Sequence, residues 1–246
     1  MSFIVLFAVA VVAGALNAVA GGGSFLSLPA LIFAGVPPVS ANATTTFAMW
    51  PGSISSAVAY RRDIGQQHVR RLMPLAAVSV VGGLIGGGLL IRTSDTGFMR
   101  LLPWLMLLAA LTFTFGRSFG GRRAAGELPH MSPWALGLQF LIAIYGGYFG
   151  GGIGIMMLAV MSLAGMTNIH EMNGLKVVLA VAINAVALIE FVASGAIAWS
   201  PGLVMAAGGI AGGYAGAGFA RQLPPESVRR FIVVVAWVMT AYFFAR

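Results

Sequence analysis

Apolar residues fill long stretches of the chain, and polar residues are confined to short segments between them. Most stretches approach the length of about 20 residues that a helix needs to cross a membrane. The pattern predicts an all-α polytopic membrane protein with segments at about 2–20, 24–36, 41–60, 72–91, 98–116, 133–149, 151–165, 171–194, 201–220 and 227–245.

The order of the glycines indicates an internal duplication. The triple glycine at 21–23 recurs at 150–152, and with one residue inserted the glycines at 82–88 recur at 212–218. Each half is predicted to contain about four full transmembrane helices plus a short helix after its triple glycine. We divide the chain into repeat 1 (1–116), a hydrophilic connecting loop (117–132) and repeat 2 (133–246). Such repeats are typical of secondary transporters, although close helix packing is the simpler explanation for the glycines at 82–88 and 212–218.

The arginines favour inverted halves. If the short segments cross the membrane, the 61–71, 117–123 and 221–230 loops share one side with ten arginines, against three opposite. If they do not cross, the halves are parallel and the division is eight against five. Positive residues collect in cytoplasmic loops. We therefore expect a multi-pass protein of a bacterial inner membrane in which the three arginine-rich loops, at 61–71, 117–132 and 221–230, are cytoplasmic.

The composition excludes several classes of protein. Hydrophobic residues make up 59% of the chain and charged residues 8%, against about 25% charged in a soluble domain. The net charge of +8 sits in short loops, so membrane orientation explains it better than nucleic acid does. No cysteine, catalytic motif or metal-ligand spacing is present, so we expect no enzyme, cofactor or metal site.

The two triple glycines should break their helices, because each glycine costs about 1 kcal/mol of helix stability. Broken backbone at membrane depth is found where it is buried in protein or lines a cavity, and its free N–H groups attract anions. We therefore take the breaks as candidate substrate-binding segments, with close packing as the alternative. Their candidate residues are Gly22, Gly23, Ser24, Gly151 and Gly152.

A polar patch opens the helix after each short segment. Ser40 and Asn168 are expected to be N-caps, whereas the deeper residues are candidates for holding an ion. These deeper residues are Asn42, Thr44, Thr45 and Thr46 in the first half, and Asn173 and Lys176 in the second.

Lys176 is the chain's single lysine, lies inside an apolar helix and matches Thr46 across the repeat. Its spacing from Asn173 places both residues on one helix face, where together they could hold an anion. The alternatives are that Lys176 extends to the membrane surface or pairs with Glu171.

Glu190 and Glu171 are candidates for coupling or gating, because ionisable residues within membrane helices are usually functional. Glu190 lies near its helix end, so an interfacial carboxylate is an equal alternative. The alternative from a different functional class is a passive channel or cation permease, in which these two carboxylates would bind the ion. Asn17 and Asn184 are expected to form hydrogen bonds between helices.

The run from Ala20 through Gly21–Gly23 and Leu28-Pro29-Ala30-Leu31 to the segment 35–45 resembles the TauE/SafE family of sulfite exporter-like permeases. The second half repeats the motif with departures, since Leu158 replaces Pro29 and Asn173-Gly174 replaces an Ala-Thr pair. The resemblance implies a membrane transporter of a small sulfur-containing anion, such as sulfite, a sulfonate or thiosulfate. We expect a secondary transporter in the lipid bilayer, with protons as the candidate coupling ion.

Overall fold

A computed structural model describes residues 2–60, 66–115, 133–166, 168–219 and 225–245. Within these ranges the chain is helical and contains no strand. The predicted segments are found in the predicted order as α1 (Phe3–Ala20), α2 (Ser24–Phe33), α3 (Pro38–Tyr60), α4 (Gln66–Arg92), α5 (Asp95–Phe115), α6 (Pro133–Tyr148), α7 (Ile153–Leu163), α8 (Ile169–Ala193), α9 (Trp199–Phe219) and α10 (Pro225–Ala245).

The outer surface of the bundle is apolar. Large side chains such as Ile4, Trp104 and Val234 are more than half exposed, as expected for residues that face lipid rather than water. Among the described residues, three helical segments are long and apolar enough to cross a membrane. They are Met73–Arg92, Asp95–Phe115 and Glu171–Ala193.

Both predicted glycine breaks are present. Gly21 ends α1 in the left-handed region (φ 77°), and Gly150, its match in the second half, has the same conformation (φ 81°). Gly35 and Gly165, which also match, have φ values of 87° and 96°. Because residues with a side chain rarely adopt this region, these pairs require glycine at equivalent points of the two halves.

The most extensive helix contacts join the two halves and occur in matching pairs. Helix α1 packs along α9, and the corresponding helices α6 and α4 pack along each other. A Cβ atom added to Gly82 would lie 2.8 Å from the Phe140 carbonyl oxygen, and one added to Gly212 would collide with the Val11 carbonyl at the matching position. The close-packing explanation is confirmed at Gly82 and Gly212, whereas Gly88 faces open space.

Two pairs of corresponding helices run antiparallel. In the α3–α8 pair, Ser40 is bonded to Ala196 just beyond the end of α8, while Trp50 bonds to Val181 further back. In the α5–α10 pair, Trp104 packs on Phe244 and Thr114 accepts a hydrogen bond from Trp237.

One of the two predicted N-caps is found. Asn168 caps α8, since its Oδ1 accepts a hydrogen bond from the Glu171 backbone N–H at 3.3 Å. The prediction for Ser40 is wrong, because α3 begins at Pro38 and the Ser40 hydroxyl donates to the Ala196 carbonyl at 2.6 Å. The start of α3 is instead bonded by another helix: the Val39 N–H donates to Asp95 Oδ1 at 2.9 Å.

Candidate functional site

A cavity of about 180 Å³ lies where α1, α2 and α3 of the first half meet α7 and α8 of the second. The backbone of both glycine breaks reaches it, through Gly21 and Gly150. None of its lining residues carries a carboxylate. Its polar lining consists of Asn17, Ser24, Thr46, Ser53, Ser56, Asn173, Lys176 and Asn184.

Lys176 presents its charge to this cavity. Its Nζ donates a hydrogen bond to Asn173 Oδ1 at 2.9 Å, so the two residues share a face as predicted. The aliphatic part of the side chain lies over Gly154, where an added Cβ would be 3.1 Å from the lysine Cδ. In the described part of the chain Lys176 forms no ion pair with a carboxylate. Neither alternative, extension to the membrane surface or pairing with Glu171, is the arrangement found.

The two short helices begin at the cavity. Helix α2 starts at Ser24 and α7 starts at Ile153, and both first residues line the cavity wall. The N-terminus of a helix carries the positive end of the helix dipole. Two helix N-termini and one ammonium group therefore make the cavity electropositive.

The other predicted glycines shape the breaks without lining the cavity. Gly22 packs against Ile232 of α10, and a side chain on Gly23 would meet the Ala13 carbonyl. On the second break, Gly151 packs against Phe149 and Gly152 against Ala109. Packing requires glycine at Gly23, because an added Cβ would lie 2.6 Å from a backbone oxygen, whereas a Cβ at Gly22 or Gly151 would have to displace a neighbouring side chain.

The hydroxyl of Tyr145 holds the second break by hydrogen bonding. Its hydroxyl lies 2.9 Å from the Gly151 carbonyl oxygen and 3.1 Å from that of Leu105 in α5. Sequence reasoning did not select Tyr145, because a single tyrosine in an apolar helix carries no pattern that distinguishes it.

The first half's polar patch is divided between the cavity and the contact between halves. Thr46 lines the cavity. Thr44 Oγ1 accepts a hydrogen bond from the Ala198 N–H at 2.9 Å, and Asn42 Nδ2 donates to the Tyr148 carbonyl at 2.8 Å. Thr45 is fully buried. Asn42, Thr44 and Thr45 therefore lie outside the cavity wall.

Glu171 and Glu190 are at opposite ends of α8. Nineteen residues separate them, which is roughly 28 Å along a helix at 1.5 Å per residue. Neither lines the cavity. The two carboxylates cannot bind one ion together.

Four polar residues of the cavity wall were not predicted to line it: Asn17, Ser53, Ser56 and Asn184. Asn17 does form the expected hydrogen bond between helices, to Ser53 Oγ at 3.4 Å, but it also lines the cavity. A signal was present in the spacing of Thr46, Ser53 and Ser56, which lie on one helix face.

The comparisons with known proteins identify a family of membrane transporters. Residues 6–243 match the family described as Sulfite exporter TauE/SafE. The chain is 31% identical to a "Probable membrane transporter protein" of Haemophilus influenzae, over 96% of this chain and 92% of that protein. It is 30% identical to the "Probable membrane transporter protein YfcA" of Escherichia coli K12, over 96% of this chain and 87% of that protein. No solved structure matches the chain.

The family match spans nearly the whole chain, including both glycine breaks and every helix that lines the cavity. The matched relatives are described as transporters, which agrees with the expectation that the chain is not an enzyme. The chain belongs to the sulfite exporter TauE/SafE family of membrane transporters.

Proposed function

We propose that this protein is a secondary transporter for a small sulfur-containing anion of the sulfite, sulfonate or thiosulfate type, and that the cavity is its binding site. One observation carries the proposal: the chain's single lysine and the N-termini of both short helices surround one cavity whose lining contains no carboxylate. A cation would find no negative partner there, whereas an anion would find several donors.

The donors suit an oxyanion. Lys176 supplies the charge, and the Asn173 amide one turn earlier orients the ammonium group through their hydrogen bond. Ser24 and Thr46 add hydroxyl groups from the first half. The positive dipole ends of α2 and α7 complete the set, as at other anion sites on helix N-termini.

The two halves are proposed to be inverted repeats with five crossings each. The paired contacts between halves and the antiparallel packing of corresponding helices support this arrangement. Helix α2 is only ten residues long, about 15 Å, which is shorter than the hydrocarbon core of a membrane. Most of its residues are buried within the protein, which is where a short or broken helix is tolerated at membrane depth.

Cysteine labelling tests the topology, because the chain contains no natural cysteine. Cysteines introduced at positions 67, 120 and 222 should all be shielded from an impermeant thiol reagent outside the cell. The last two positions lie outside the described residues, so their placement rests on the arginine distribution alone. Labelling at 222 together with protection at 67 would support parallel halves instead.

Glu190 is proposed to act in proton coupling or gating rather than in substrate binding. It is half-buried near the end of α8 and lies away from the cavity. Glu171, at the opposite end of the same helix, is the second candidate for this role.

Flux into proteoliposomes tests the function. Sulfite, thiosulfate or a short sulfonate should be taken up in a saturable manner or compete with one another, and divalent cations should neither be carried nor compete. Saturable flux of a cation with no response to any of these anions would establish the cation permease instead.

A further inference from the structure

Two buried oxygen atoms on α3 have no hydrogen-bond partner among the described residues: Asn42 Oδ1 and Thr45 Oγ1. The side chains are 1% and 2% exposed, so bulk water does not reach them. Buried polar atoms are normally paired, because an unpaired one loses its bond to water and gains nothing. Two such atoms one helical turn apart on the same face therefore point to a ligand.

The surroundings of the two oxygens favour a cation. The Asn42 amide is held at the C-terminal end of α6, where its nitrogen donates to the Tyr148 carbonyl at 2.8 Å. The last carbonyl groups of a helix have no partner within the helix and carry the negative end of its dipole. Thr44, between the two residues, is already engaged, since its hydroxyl accepts the Ala198 N–H.

The second half shows that packing does not require polar residues here. The positions that match Asn42 and Thr45 across the duplication are Met172 and Leu175. Both are buried in an apolar cluster, at 5% and 2% exposure. The same place in the fold is thus filled by hydrocarbon in one half and by two unpaired oxygens in the other.

We propose that Asn42 Oδ1, Thr45 Oγ1 and the carbonyl end of α6 form a binding site for a small alkali cation such as Na⁺. Neutral oxygen ligands suit hard cations, and a monovalent ion fits because neither side chain is a carboxylate. The described residues contain no cluster of acidic or histidine side chains that could hold a metal ion. Unwound backbone and helix C-termini hold coupling ions in the same way in other broken-helix transporters.

The site lies outside the cavity wall and is connected to the substrate cavity through the second break. The Tyr148 carbonyl accepts the hydrogen bond from Asn42. Tyr148 lies two residues before Gly150, which is part of the cavity wall. A bound cation would stabilise the end of α6 and with it the break. We also expect the bound cation to raise the affinity of the cavity for the anion. This second effect rests on the proposed function, whereas cation binding itself does not.

Thermal unfolding of the purified protein, with no sulfur anion present, tests the site. The unfolding temperature should rise saturably with NaCl but not with choline chloride at the same ionic strength. Thr45→Val removes one ligand at nearly constant volume and should raise the half-saturating Na⁺ concentration about tenfold, a change of about 1.4 kcal/mol. Thr240→Val is the matched control, because Thr240 is equally buried but its hydroxyl is bonded to Ala236.

A second variant keeps the site testable if the Thr45→Val protein does not fold. Asn42→Met with Thr45→Leu copies the second half and should fold while losing the Na⁺ response. Equal effects of NaCl and choline chloride on the natural protein would overturn the site and indicate that water occupies it. So would an unchanged Na⁺ response in a folded Thr45→Val protein. Loss of sulfite binding in choline medium after Lys176→Ala tests the anion cavity separately.

Discussion

Replacing Lys176 by Met gives the sharpest test of the anion cavity. Methionine keeps the length and the apolar stem that lies over Gly154, but it removes the ammonium group. Hydrogen bonds to charged groups contribute about 1.5–3 kcal/mol, and each 1.4 kcal/mol is tenfold in Kd. We therefore expect the Kd for the transported anion to rise roughly tenfold to a hundredfold. The Coulomb energy for contact at about 4 Å, about 4 kcal/mol near a protein surface, sets the upper limit.

Isothermal titration calorimetry on the purified protein measures this change directly. Lys176→Arg should keep part of the affinity, because the charge remains while the larger guanidinium group crowds Gly154. Arg100→Met is the matched control, since it removes one positive charge from an exposed position of α5 outside the cavity. An anion Kd that stayed the same in a folded Lys176→Met protein would show that the lysine does not bind substrate.

Three further outcomes follow. Gly82→Ala should lower the unfolding temperature, because the added Cβ would press on α6 and overpacking costs about 1–3 kcal/mol. Gly88→Ala is the control, since Gly88 faces open space. That substitution should raise the unfolding temperature by a few degrees through helix propensity. Tyr145→Phe should destabilise the protein by about 1 kcal/mol in thermal unfolding, because it removes the hydroxyl that contacts the second break. An unchanged unfolding temperature would refute that role. Glu190→Gln should flatten the pH dependence of flux in proteoliposomes while leaving anion affinity unchanged, and an unaltered pH profile would make Glu190 an interfacial residue.

The order of the helices and the position of both breaks were predictable from sequence, because they depend on local properties. The length of an apolar run fixes a membrane helix, and three successive glycines interrupt one wherever they occur. The convergence of Lys176 and Thr46 on one cavity was predictable only because the duplication places the two residues at equivalent points.

The remaining cavity wall could not be read from the chain. The helices are apolar on every side, so no hydrophobic stripe tells which face is turned inward. Asn17 and Asn184 were therefore interpreted only as hydrogen bonds between helices. The start of α3 was mistaken for a similar reason, since Asp95, which bonds to Val39, comes from a distant helix.

The pairing of α1 with α9 also limits how early the first helix can be fully packed. The helix synthesised first has its most extensive contact with the ninth helix, and its close approach at Gly14 needs the backbone of Gly209. Before α9 is present, that face of α1 lacks its partner helix, and the corresponding face of α4 lacks its partner until α6 is present. A fragment limited to residues 1–116 could insert, but both of its interlocking faces would remain without their partners. The first helix of the chain can therefore make its most extensive contact only after the ninth helix has been synthesised.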